Sequence, residues 1–165
     1  MKTLLAKLLL SADAVFYYAG RIVGKSRAHV WFPGKRTILD YSSIIKHPER
    51  VTIGHDVWIG SNVSIGAFAG ITIGDRVRIS HGTFIETASL DIRADHLPYE
   101  HVGKPIRIDD GVWIGANAVI LGGVHIGERA VIAAGAIVVK DVPAHAIVAA
   151  LPARAIGSRS PETES

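Results

Sequence analysis

The stretch LDIRADHLPYEHVGK (residues 90–104) collects two imidazoles, His96 and His101, the carboxylates Asp91 and Asp95, and the phenol of Tyr99. An imidazole changes charge near neutral pH, so it can take a proton from an attacking hydroxyl or amine. As a neutral ring it can also bind zinc, and His81 in ISHGTF would then join His96 and His101 as a third ligand. The chain contains no cysteine, which excludes disulfides and thiolate-bound zinc and fits a reducing, cytoplasmic setting. No phosphate-binding P-loop, dinucleotide fingerprint or serine-nucleophile elbow is present.

Groups on a loop need a scaffold, and the flanking sequence describes it. Isoleucine recurs at 108, 114, 120, 126 and 132, and the pattern extends back through Ile73, Ile79, Ile85 and Ile53, Ile59, Ile65. A spacing of six fits neither the three-and-four rhythm of a helix nor a single strand, but it is a multiple of the strand period of two. Each hexad therefore supplies one short strand and one corner, and three hexads close a triangular coil. Small or β-branched residues four positions on (Val57, Val63, Ala69, Val77, Thr83, Ser89, Val112, Ala118 and onwards) are expected to point inward beside the isoleucines. Gly54, Gly60, Gly66, Gly74, Gly115 and Gly127 follow the isoleucines, where glycine relieves crowding and permits unusual backbone angles. Asn62 and Asn117 suit left-handed corners. The repeat breaks twice, with a two-residue insertion at AFAGIT and the polar insertion 90–104. A loop projecting from a rigid solenoid is a common place for function.

With 48% hydrophobic but only 7% aromatic residues, the core must be built from aliphatics. The formal charge is +3. Basic residues are scattered and not interleaved with aromatics, which argues against nucleic acid as a partner and leaves a modest pull on anionic ligands or membrane headgroups. Near the N-terminus, Lys7 and Asp13 interrupt an apolar run too short to span a bilayer. Leu4, Leu5, Leu8, Ala12, Val15, Phe16 and Ala19 recur at helical spacing, predicting an amphipathic helix packed on the domain or on a neighbouring subunit, with membrane-surface contact as the alternative. The organisation expected is a helical segment at 1–26, a solenoid at 27–157 with the 90–104 insertion, and a disordered tail at 158–165.

The hexads, the run KPIRIDDGVWIGANAVILGGVHIG after the histidine loop, and VIAAGAIVVKDVPAHAIVAALPARAIG together resemble the hexapeptide-repeat acyltransferases, in particular their sugar acetyltransferases. The resemblance covers about residues 50–156. It implies an all-β, left-handed parallel β-helix assembled as a homotrimer, with acetyl coenzyme A as acyl donor and active sites between neighbouring prisms. It further implies His96 as the general base. Asp95 and Glu86, by their nearness in sequence, are the candidates to orient its ring; Asp95, Tyr99 and His101 are candidates to line the acceptor pocket, and His101 is also the rival base. Trp113 would border the coenzyme A channel, Ala116 and Ala134 would flank the pantetheine arm, and Lys140 and Arg154 would lie beside the nucleotide. Trp58 would face another subunit. Val139 and Gly157 depart from residues common in the family, threonine and a second basic residue respectively, so nucleotide contacts are fewer here or come from Arg159. No metal is required on this reading. The acceptor expected is a hydroxyl of a sugar or polysaccharide precursor, or alternatively the amine of an amino sugar. The zinc reading corresponds instead to a lyase resembling the gamma carbonic anhydrases, and a bare solenoid used as an interaction surface is a further alternative.

Overall fold

The computed structural model describes residues 2–159, with side chains from residue 14 onward. The chain forms the expected three-sided parallel β-solenoid of about six coils, preceded by one helix. The first face stacks Ile38–Leu39, Trp58–Ile59, Arg78–Ile79, Trp113–Ile114, Val131–Ile132 and Ala146–Ala149. The second stacks Ile44–Lys46, Ser64–Gly66, Phe84–Glu86, Val119–Leu121 and Ile137–Val138, and the third Val51–Ile53, Ile71–Ile73, Ile106–Ile108 and His125–Ile126. A last strand, Arg154–Ser158, folds back antiparallel on Ala146–Ala149.

Register explains the six-residue rhythm. Ile59, Ile79, Ile114 and Ile132 lie directly over one another on the first face. Ile65, Ile85, Ile120 and Val138 do so on the second, and Ile53, Ile73, Ile108 and Ile126 on the third. All of these side chains are buried. Each removes an aliphatic side chain from water, contributing roughly 1.5–3 kcal/mol. The corners use Asn62 and Asn117 in the left-handed region, at φ 54° and 56°. The glycines after the isoleucines have the other role expected of them, close approach. A Cβ at Gly115 would lie 2.6 Å from the Ala134 nitrogen, and one at Gly127 2.5 Å from the Ala144 nitrogen.

At the two insertions the inward positions differ from those expected. Ala69 is only partly buried and Ser89 is exposed. Ala67 and Thr87 are buried instead, and Ile71 and Ile106 fill the core. Inward pointing is set by pleat alternation, so after an insertion the register is counted back from the next isoleucine, two residues ahead of Ile73 and Ile108. The buried Thr87 hydroxyl is satisfied by donating to the Gly66 carbonyl (2.8 Å) and accepting from the Ala69 N–H (3.0 Å).

The helix spans Lys2–Trp31, continuing past residue 26. Its contact face is not the apolar stripe expected. Gly20, Gly24, Ala28 and, just beyond the helix, Phe32 are buried at a spacing of four, whereas Val15, Phe16 and Ala19 are exposed. Leu4, Leu5, Leu8 and Ala12 lie outside the residues whose side chains are described. Small residues prevail because the helix backbone runs close to the first coil: a Cβ at Gly24 would collide with the Leu39 carbonyl oxygen, and one at Gly20 with the Tyr41 ring. Arg27 fastens the last turns, donating to the Tyr41 and Ser43 carbonyls (both 2.9 Å) and stacking over Trp31. Pro33 and Gly34 (φ 74°) end the helix. Among the described residues no helix is long and apolar enough to cross a membrane. Replacing Gly24 with leucine is expected to destabilise the protein by about 1–3 kcal/mol, because the obstructing atom is backbone and cannot yield. Thermal unfolding checks this, and an unchanged midpoint would remove the close-packing account of the helix.

Candidate functional site

The insertion is a short hairpin. Ala88–Leu90 pairs antiparallel with His101–Gly103, and the hairpin leaves the prism at the edge between the second and third faces. His101 therefore stands in a strand, its ring 6.2 Å from that of Phe68 at the root of the hairpin. His96 lies in the connecting loop, its side chain 60% exposed. Its Nδ1 is 3.6 Å from Asp95 and its Nε2 3.9 Å from Glu100. Asp95 is one of the two orienting groups considered from sequence. Glu86, the other, remains in its strand, where its carboxylate accepts the Ala88 N–H (2.9 Å) and covers Gly66. Glu100 was missed, although its offset of four from His96 was a usable signal. Asp95 and Tyr99 are exposed on the same loop.

The residues expected to hold the acyl donor lie elsewhere. Trp113 projects from the first face, 53% exposed, and its indole N–H donates to the Ser80 hydroxyl (3.2 Å). Ala116 and Ala134 occupy successive coils at the edge between the first and second faces, joined by the Gly135 N–H to the Ala116 carbonyl (2.8 Å). Arg154 opens the last strand opposite Ala149, above that same edge. That edge thus carries two small side chains and a guanidinium, with the exposed indole of Trp113 on the adjoining first face. Lys140, by contrast, lies on the edge that carries the hairpin. A single chain therefore brings Trp113, Ala116, Ala134 and Arg154 together and holds His96, Asp95, Tyr99, His101 and Lys140 on another edge. His81, the third histidine of the zinc reading, belongs to the Ala116 edge, since its carbonyl accepts the Asn117 N–H (3.0 Å). No group of three or more potential metal ligands is assembled among the described residues.

Between the helix and the first face runs an open groove of about 1450 Å³, lined by Tyr17, Tyr18, Trp58, Arg78, His81 and Trp113 among others. Trp58 and Trp113 flank Arg78 in one register column, so both indoles face this groove. Sequence periodicity placed both outward but could not show that the helix forms the opposite wall.

The third face is polar where the others are apolar. Asp109 accepts hydrogen bonds from Arg107 Nε and His125 Nε2, each at 2.7 Å. Partial burial pushes its carboxyl pKa up, but the bonds from Arg107 and His125 outweigh that and hold it below the ordinary value of 3.8. A carboxylate depressed in the folded state adds stability that is present above that value and lost as pH falls through the lower folded one. Asp109→Asn is expected to cost about 1 kcal/mol at pH 7. The cost should shrink as pH falls below 3.8 and through the lower folded-state value, where the wild type too loses the charge. Melting curves across pH check this, and a pH-independent difference would refute it.

Comparison with known proteins adds to this geometry. The family described as bacterial transferase hexapeptide (six repeats) matches residues 105–140, and the hexapeptide repeat of succinyl-transferase matches residues 50–86. A hexapeptide-repeat-containing acetyltransferase from Vibrio cholerae O1 biovar eltor, solved in complex with acetyl coenzyme A, is 35% identical with a TM-score of 0.74, covering 90% of this chain and 79% of that one. A Schizosaccharomyces pombe protein carrying an inferred acetyltransferase name is 34% identical over 123 residues, 74% of this chain and 50% of that protein. A 2,3,4,5-tetrahydropyridine-2,6-dicarboxylate N-acetyltransferase from Enterococcus faecalis is 54% identical over 61 residues, 37% of this chain and 26% of that protein. The chain thus spans about half the length of the first of these two curated relatives and about a quarter of the second.

Proposed function

Because the chain belongs to the hexapeptide-repeat acetyltransferase family, we propose that it transfers an acetyl group from acetyl coenzyme A to a hydroxyl of a sugar or polysaccharide precursor. The observation that carries the reading is His96, an exposed imidazole on a projecting hairpin with a carboxylate near each ring nitrogen. In this mechanism one ring nitrogen removes the acceptor's proton as its oxygen attacks the thioester carbonyl. The tetrahedral intermediate collapses, the carbon–sulfur bond breaks, and the imidazolium returns the proton to the departing thiolate, giving acetylated sugar and free coenzyme A. The carboxylate beside the other nitrogen stabilises the imidazolium and fixes its tautomer. Asp95, Tyr99 and His101 contact the acceptor. Trp113 borders the coenzyme A channel, Ala116 and Ala134 flank the pantetheine arm, and Lys140 and Arg154 neutralise phosphates.

This assignment needs two chains, since the base and most donor contacts occupy different edges of one prism. A homotrimer satisfies the requirement by setting the hairpin edge of one subunit against the Trp113 edge of the next. Outward apolar residues on the second face, including Ile44 and Phe84, support such packing. An amine acceptor is the second reading, favoured by the 54% identity to an N-acetyltransferase over 61 residues.

Release of free thiol from acetyl coenzyme A, measured across neutral sugars, amino sugars and nucleotide-linked sugars, tests both readings. Turnover with hydroxyl-only acceptors supports the first, and turnover confined to amine-bearing acceptors replaces it with the second. Succinyl coenzyme A in parallel defines the donor. No acyl transfer to any acceptor, with no binding of either donor, would overturn the proposal.

A further inference from the structure

The N-terminal helix turns its apolar side away from its own domain. At about 100° per residue, Val15, Ala19, Ile22, Val23 and Val30, with Phe16 at the margin, lie opposite the Gly20–Gly24–Ala28 contact stripe. Val15, Phe16, Ile22 and Val30 are 66–74% exposed. In the sequence, Leu4, Leu5, Leu8 and Ala12 fall at the spacing that continues this stripe. Charge identifies what covers it. The helix carries five lysines and arginines against the single acid Asp13, leaving thirteen basic and fourteen acidic side chains for the rest of the chain. The whole basic excess of the protein therefore resides in the helix, which also has an uncovered apolar side. Lys25 lies on its flank, between the contact stripe and the apolar stripe, where a long cationic side chain reaches headgroups while the apolar residues enter the acyl boundary. Packing this helix against its counterpart in a second chain would bring two strongly basic segments together.

We propose that the helix docks, parallel to the surface, on an anionic phospholipid bilayer and holds the solenoid beside it. Anionic headgroups attract the basic flanks, and burial of Val15, Phe16, Ile22, Val23 and Val30 supplies the apolar term. The inference is independent of the acceptor assigned above.

Flotation of the full-length protein with vesicles tests it. The protein should float with phosphatidylcholine vesicles containing phosphatidylglycerol, float far less with phosphatidylcholine alone, and be released by added salt. The combined substitution Val15→Glu, Phe16→Glu and Val23→Glu should weaken binding to the anionic vesicles about tenfold or more, since it removes apolar area and adds repulsion. Its melting temperature should stay unchanged, because all three side chains are exposed and outside the Gly20–Gly24–Ala28 contact stripe. Failure of the wild type to float with anionic vesicles, or equal flotation of the variant, overturns the proposal. So does dissociation of an assembled protein by the triple substitution, measured by sedimentation, which would show that a second copy covers the stripe.

Discussion

Replacing His96 with alanine is expected to lower kcat for acetyl transfer about 10²–10⁴-fold, the usual contribution of a positioned general base. The KM for acetyl coenzyme A should stay within about twofold, because the mutation removes a group needed in the transition state and no donor contact. His96 lies in the loop of the hairpin, and none of the residues assigned to the donor belongs to that hairpin. Steady-state thiol release checks both quantities. An undiminished kcat would remove His96 from the chemistry and direct attention to His101, the other imidazole of the hairpin. Asp95→Asn and Glu100→Gln extend the test. Whichever carboxylate orients the ring should lower kcat on substitution and leave the donor KM unchanged. The other should change neither, since its 3.6 or 3.9 Å approach would be an exposed ion pair of small consequence.

Truncating Ile114 to alanine should cost about 2–5 kcal/mol, the range for large-to-small changes in a core that cannot collapse around the gap. Ile114 is fully buried, stacked directly on Ile79 below and Ile132 above. The solenoid repeats at the strand spacing, so its backbone cannot close the cavity without breaking ladders on all three faces. At this chain length the loss corresponds to a fall of about 5–15 °C in the melting temperature. Thr72→Ala, at an exposed outward position of the third face, is the control and should change stability by less than about 0.5 kcal/mol. Calorimetry on the three proteins decides the matter. Equal melting temperatures for Ile114→Ala and wild type would contradict a core built from isoleucine ladders.

Much of this was legible in the amino-acid string because a solenoid is a local fold. Each hexad states its own strand and corner, and an isoleucine packs against its equivalents one coil away, so pattern and packing coincide. Asn62 and Asn117 marked left-handed corners for the same local reason. The histidine hairpin was recognisable as an interruption of that order. The local rule failed at the two insertions. A count of four from the preceding isoleucine points to Ala69 and Ser89, whereas the pleat places Ala67, Thr87, Ile71 and Ile106 in the core.

The sequence by itself determined the ladders, the three faces and the place of the hairpin, since all rest on short-range alternation; His96 as candidate base came from the resemblance to the family. Tertiary structure alone decided which groups share an edge. It set His96 apart from Trp113 and Ala134, placed Glu100 beside the imidazole, and made the helix a wall of the groove. It also turned the helix so that Gly20, Gly24 and Ala28 meet the first coil and Val15 and Phe16 do not. The reason is steric: helical periodicity shows which side of a helix is apolar, but the nearness of the Leu39 carbonyl and the Tyr41 ring leaves room only for the side without side chains.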